Sequence, residues 1–332
     1  MDDHDQTESV ITIDRNPQLS SSVRTFSDPD EYAAAVRATK SEFTVVGRGT
    51  FDASIIRIDL HRLWMQRFTE HLPRIMHVAT GPERAIISFQ TRPGPSMVRD
   101  GVEAGCDTLT RIPIDGSYFQ RTTGATSYGS ASLPVADAES AASTIAACEL
   151  TPPRQRALTV PPVAAMAKLQ RLHAMAGELA SQTPEIIAVP EAARGLEQAL
   201  IQAILACLDT ADVVEDRVAA RHHSTIMRRF HAAIEKHHNE AVYIPAICRA
   251  TKVPHRTLNV CCHEALGMGP KRYLLLRRMY LARQALRRAG PATATVTGIA
   301  TSLGFFELGR FATEYRTLFG EVPSVTLLAP PV

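Results

Sequence analysis

Seven bases and no acid occupy KRYLLLRRMYLARQALRRAG, residues 271–290: Lys271, Arg272, Arg277, Arg278, Arg283, Arg287 and Arg288. Side chains of this kind neutralise phosphates and release the counterions around a nucleic acid, so the run is a candidate nucleic-acid contact. A basic helix is also an ordinary solvated surface, and the run alone does not separate the two. Tyr273, Leu274, Leu276, Leu281 and Ala285 give the same helix apolar faces, which suits a rigid spacer between two packed units.

Metal and enzyme chemistry find less support. Cys261-Cys262-His263, with His222, His223, His237 and His238, offers ligand types, but adjacent cysteines on a helix diverge by about 100° and no second pair stands at finger-like spacing. His61, His71 and His77 fall in a β-prone region compatible with a cupin-like barrel, yet the close histidine pair followed by a carboxylate is missing. Nucleophile elbow, P-loop and dinucleotide fingerprint are absent from the sequence. The expectation is no metal, no cofactor, no catalytic residue and no enzyme. The only tryptophan, Trp64, lies in Asp59–Arg67 as a wall of an effector pocket or, more simply, a core anchor or dimer contact.

The basic run sits inside an internal repeat. Gly267-Met268-Gly269-Pro270 superposes on Gly320-Glu321-Val322-Pro323 at an offset of 53 residues. That shift pairs Ala246 with Ile299, Ala250 with Leu303, Val253 with Phe306, Leu258 with Phe311, Cys262 with Tyr315 and Leu266 with Phe319, apolar in both copies. Each copy predicts a short helix (244–250; 296–302), a tight turn (251–254; 303–306) and a longer helix (255–266; 307–319). This is the helix-turn-helix pattern, at about 244–266 and 296–319, whose second helix enters the major groove. Charge follows the same division. The net +2 of the 332-residue chain sums 20 Lys/Arg against 28 Asp/Glu in residues 1–220 and 16 against 6 in 221–332.

The segment from Tyr243 to about Leu327 resembles the DNA-binding domain of the AraC/XylS family of bacterial transcription regulators. The resemblance rests on Arg256-Thr257-Leu258, Ala265 through Pro270, Tyr273, Arg277, Ala282-Arg283 and Leu286, followed by Ile299-Ala300 and Leu303-Gly304-Phe305. It continues through Arg310-Phe311-Ala312, Tyr315-Arg316 and Leu318 through Ser324. The first unit departs from the pattern: Cys262 stands where an aromatic is usual, and Pro254 where Ser is. By analogy with the family, the base-reading positions are His255, Arg256, Asn259 and Val260 in the first unit and Leu308, Gly309, Arg310 and Thr313 in the second. Arg pairs bidentately with guanine and Asn with adenine, which favours Arg256, Asn259 and Arg310. Lys271, Arg272, Arg277, Arg278 and Arg316 are the expected phosphate contacts. The resemblance implies a regulator, expected to be an activator, that binds double-stranded promoter DNA, with RNA polymerase as a further partner and an N-terminal domain for an unidentified small-molecule effector.

The remaining chain has to position and control these helices. Residues 1–22 are polar and aperiodic, expected as a flexible tail, and 23–212 as the regulatory domain. From about 41 to 133, short β-prone runs broken by Gly and Pro suit an antiparallel sandwich or barrel. Helical periodicity then takes over, clearest in 164–181 and 191–209, whose apolar stripe packs either within the chain or in a homodimer. The expected fold class is therefore multidomain: an N-terminal mostly-β barrel or cupin-like domain with appended α-helices, and a C-terminal all-α domain at 222–328 with two helix-turn-helix units. The acidic start lacks the regions of a signal peptide and no run reaches the ~18–20 apolar residues of a membrane span, so a cytoplasmic chain without membrane contact is expected. Six cysteines without CxxC pairing fit reduced thiols. Two alternatives remain: an architectural DNA-binding protein without effector, and a cupin-like enzyme fused to a DNA-binding domain.

Overall fold

The computed structural model describes residues 19–138, 150–154, 156–209, 212–214, 218–237, 241–291 and 293–329. Thirteen strands and eleven helices are named here: β1 Ser20–Phe26, β2 Thr39–Val45, β3 Ala53–Asp59, β4 Trp64–Glu70, β5 Arg74–Thr80, β6 Arg84–Gln90, β7 Met97–Arg99, β8 Val102–Ala104, β9 Leu109–Ile112, β10 Ser117–Thr122, β11 Thr126–Pro134, β12 Ala157–Val160 and β13 Asp212–Val214. The helices are α1 Pro29–Ala35, α2 Val163–Gln182, α3 Pro184–Ile187, α4 Pro190–Asp209, α5 Val218–Glu235, α6 Ile244–Thr251, α7 His255–Leu266, α8 Pro270–Arg288, α9 Val296–Ser302, α10 Leu308–Phe319 and α11 Pro323–Leu328. Most of the expected tail lies outside the described residues, but Ser20, Ser21 and Ser22, which it included, belong to β1, pairing with Asp59, Ile58 and Arg57.

The strands form two antiparallel sheets, not one closed barrel. One runs β1-β3-β4-β11-β6-β9-β12-β13 and the other β2-β5-β10-β7-β8. Period-2 alternation assigns the faces. Ile55, Phe68 and Tyr128 of the large sheet meet Phe43, Val45, Met76 and Val78 of the small one around Tyr32. Ile58, Met65, Ile87 and Ala131 point the other way, into a core shared with α2 and α4. The apolar stripe of those two helices, Met166, Leu169, Ala176, Leu200, Ile204 and Cys207 among it, is thus buried within the chain. Ile75 and Phe119, on the outer face of the small sheet, join Ile226, Met227, Phe230, Leu258, Cys261, Cys262 and Tyr273 of the C-terminal helices. The result is four layers: helices, large sheet, small sheet, helices.

Two polar contacts fasten the last layer. Tyr280 Oη accepts from Val45 N at 2.9 Å and donates to Val45 O at 3.2 Å. Buried Asp28 caps α1 by accepting from Asp30 N and Glu31 N, and it also pairs with Arg283, 3.3 Å away, and Arg287. Among the described residues no helix is long and apolar enough to cross a membrane.

His173 of α2 lies fully buried against the large sheet, its Nε2 donating to Gln66 O at 3.2 Å. Burial, with Arg67 nearby, pushes its pKa down to about 3. An unfolded histidine titrates near ~6.5, so below that pH the unfolded chain takes up a proton that the folded chain refuses. Stability is full above that value and falls by about 2 kcal/mol from this group at pH 5. Urea midpoints at pH 7 and pH 5 test this: His173→Gln should show a shallower loss than the parent, and an identical slope would remove His173 as its source.

Candidate nucleic-acid interface

Each unit builds its turn differently. In the first, Lys252 adopts the left-handed conformation at φ 60°, Thr251 Oγ1 donates to Ile247 O at 2.8 Å, and Pro254 precedes α7 with its fixed φ of −62°. In the second, Gly304 takes φ +78°, a left-handed conformation that calls for glycine, and a Cβ there would lie 2.8 Å from Tyr243 Oη, which would have to move. Thr295 Oγ1 accepts from Gly298 N at 3.0 Å to start α9.

Helix α8 serves both units. Tyr273 and Leu274 enter the core of the first, whereas Met279, Ala282 and Leu286 enter that of the second with Phe305, Phe311 and Tyr315. The spacer expected from its apolar faces is therefore present. Cys261 and Cys262 are fully buried, and burial pushes the Cys261 thiol up to about 11 and Cys262 higher still. They pack as small apolar side chains where the family resemblance led one to expect a larger ring.

His255, Arg256 and Val260 are exposed on α7 and Asn259 half-buried, its Oδ1 close against Gly269. On α10, Leu308, Gly309, Arg310 and Thr313 are all exposed, as is Arg316. Arg310 Nε reaches Glu314 Oε1 at 3.0 Å and its Nη1 lies 3.8 Å from Glu307; these acids raise its pKa. Thr313 Oγ1 donates back to Gly309 O at 2.9 Å. Between the start of α8 and the second unit lies a cleft of about 670 Å³, lined by Lys271, Arg272, Arg278, Phe306 and Arg310. Phe306 is 78% exposed there.

The basic run does not act as one surface. Lys271 and Arg272 are exposed, while Arg278 sits half-buried with its guanidinium 5.7 Å from the Tyr243 ring and 5.0 Å from Phe305. Arg277 is turned toward the regulatory sheet beside Tyr273, Glu42 and Glu235, and burial lowers its pKa. With Arg283 and Arg287 on Asp28, three of the seven bases face the N-terminal half.

The histidines suspected from sequence do not converge. His61 lies 3.4 Å from Pro190 O, His71 3.2 Å from Asp52, and His223 2.6 Å from Glu264; His238 lies outside the described residues. His77 is buried against His231. Trp64 is half-buried with the guanidiniums of Arg37 and Arg84 at 4.0 and 3.7 Å from its ring, on an outer cleft of about 420 Å³. Between the sheets, around Gln66, Ser88, Tyr118, Gln120 and Ser130, there is only about 40 Å³ of space. That is far below the ~300 Å³ of an ordinary ligand pocket.

Two turn-helix units on one spacer make a bipartite helix-turn-helix arrangement. Comparison with known proteins agrees: residues 247–328 match the family described as "Helix-turn-helix domain". A probable thc operon regulatory protein of Rhodococcus erythropolis is 40% identical over 98 residues, 30% of either chain. The transcriptional activator RhaS of Pectobacterium atrosepticum is 28% identical over 154 residues, covering 46% of this chain and 51% of that one. Among solved structures, the AraC-like transcriptional activator CuxR covers 79% of this chain and 95% of its own at 12% identity and a TM-score of 0.42. The chain thus matches between under a third and about half of these curated relatives' length. What the family match shares with the chain is its C-terminal helix-turn-helix segment, residues 247–328.

Proposed function

We propose that this chain is a cytoplasmic transcription regulator, most simply an activator, that binds promoter DNA through α7 and α10 and is controlled by its N-terminal domain through a small-molecule effector. The observation that carries the proposal is the pair of exposed recognition helices on one spacer, with Arg256 and Asn259 on one and Arg310 on the other. Lys271, Arg272, Arg316 and the half-buried Arg278 are the phosphate contacts in this scheme; Arg277 is not, because it serves the seam between the halves. An effector has to widen the 40 Å³ between the sheets or use the cleft beside Trp64. A homodimer through α2 and α4 has to use their outward side, where Val163 and Met175 of α2 are exposed, because the stripe itself is buried.

Selection of bound sequences from random DNA, followed by salt titration on the selected site, tests the function. A defined site should emerge, and the Lys271→Ala/Arg272→Ala double variant should weaken binding on all sequences while reducing the salt slope by about 2. Uniform binding to every sequence would instead support an architectural protein.

A further inference from the structure

Glu42 of β2 meets His231 and Glu235 of α5 where the DNA-binding half rests on the small sheet. Nε2 of His231 lies 3.5 Å from Glu42 Oε2, and its Nδ1 lies 3.7 Å from Glu235 Oε2. One donor atom from each of the three falls within 4.8 Å of the other two. The His77 ring, from β5, lies flat against that of His231, with centroids 3.1 Å apart. Both imidazoles are more than nine-tenths buried, at 5% and 3% exposed, and neither Nε2 has a hydrogen-bond partner. Buried polar atoms are nearly always satisfied, so two neighbouring orphans beside two carboxylates point to a missing electrophile.

We propose that Glu42, His231 and Glu235 bind one divalent transition-metal ion of the zinc type. Imidazole nitrogen and carboxylate oxygen are the donor set that zinc accepts. Metal–ligand bonds of about 2.0–2.1 Å in a tetrahedron space the donors roughly 3.3 Å apart. The 3.5 Å between His231 and Glu42 fits that spacing and is too long for a good hydrogen bond. His231 and Glu235 stand four residues apart, which puts both on one helix face. Of the nearby cations, Lys40, 3.9 Å from Glu235, is 80% exposed and free to swing out, and Arg277 lies beside Tyr273, Glu42 and Glu235. Because the donors come from both halves, the ion ties the DNA-binding helices to the regulatory sheet. This goes beyond the proposed function and stands independently of it.

The test uses the full chain, stripped with a chelator and titrated with Zn²⁺ by calorimetry and with Co²⁺ by absorption. One saturable site is expected, with Co²⁺ bands typical of nitrogen and oxygen donors. Glu42→Gln and His231→Gln should each weaken it at least about tenfold while keeping the parent circular dichroism, and His71→Ala should leave it intact. Zn²⁺ should raise the melting temperature of the parent and not that of Glu42→Gln. Absence of a saturable site, parent-like affinity in both variants, or loss of binding in His223→Gln instead would overturn the proposal.

Discussion

Arg74→Met is expected to lower the stability of the N-terminal domain by about 3–5 kcal/mol, because it leaves a carboxylate buried without its counter-charge. Arg74 and Glu70 are 0% and 1% exposed. Glu70 Oε2 accepts from Arg74 Nε at 2.8 Å, and Oε1 accepts from Tyr32 Oη at 2.6 Å and Tyr128 Oη at 3.0 Å. Arg74 Nη1 donates to Gln120 O at 3.1 Å, and its guanidinium lies 5.6 Å from the rings of Phe43 and Tyr128. Burial raises the pKa of both tyrosines and the carboxylate raises them further, whereas at Arg74 burial acts downward and the carboxylate, with the tyrosines, raises the pKa in spite of it: the carboxylate favours a cation and disfavours a phenolate. Glu70→Gln should cost a similar amount. The double variant Glu70→Gln/Arg74→Met should recover much of the loss, since a neutral pair of similar volume carries no unpaired charge. Denaturant midpoints of the four proteins close this cycle, and additive losses in the double variant would show that packing, not charge pairing, sets the cost. Against a typical total of about 5–15 kcal/mol, either single change brings the domain near unfolding.

The second large effect is expected on DNA. Arg256→Ala combined with Arg310→Ala should cost about 2–6 kcal/mol on the selected site, about 1–3 for each base contact, with little change on random DNA. The two residues lie in different units, so their losses should add. Arg310 is held by Glu307 and Glu314 before DNA arrives, which fixes its position and keeps it from neutralising phosphates at random. Glu314→Gln should therefore tighten non-specific binding slightly and erode discrimination. A footprint titration in which the double arginine variant loses equally on both DNAs would assign these residues to the backbone.

The two turn-helix units were legible because the same apolar positions recur at one offset, and Gly304 punctuates the second as its φ of +78° demands. The spacer was legible from Tyr273 and Leu274 on one side and Leu286 on another. Which of its bases face outward was not, because the acid that takes Arg283 and Arg287 is Asp28, more than 250 positions away. Sandwich and barrel leave the same alternation in sequence, and only the pairing order separates them. In β5 even the alternation vanishes: Arg74 through Val78 are all buried, since that strand is covered on both faces. Glu42, His77 and His231 carry no spacing signal because a strand pair and a distant helix bring them together. The seam chemistry was therefore invisible to motif logic, although each residue type was suited to it.

The small sheet gives its inner face to the N-terminal core and lends Ile75 and Phe119 to the core of the C-terminal helices. The boundary between the N-terminal and C-terminal halves is thus not a hinge between two finished bodies. A fragment starting at α5 would carry Ile226, Met227 and Phe230 without the Ile75 and Phe119 that complete their core, and should aggregate or seek a detergent-like partner. For anyone grafting a new sensor onto this reader, the transplant has to bring its own replacement for β5 and β10. A splice between α4 and α5 would cut through shared tissue.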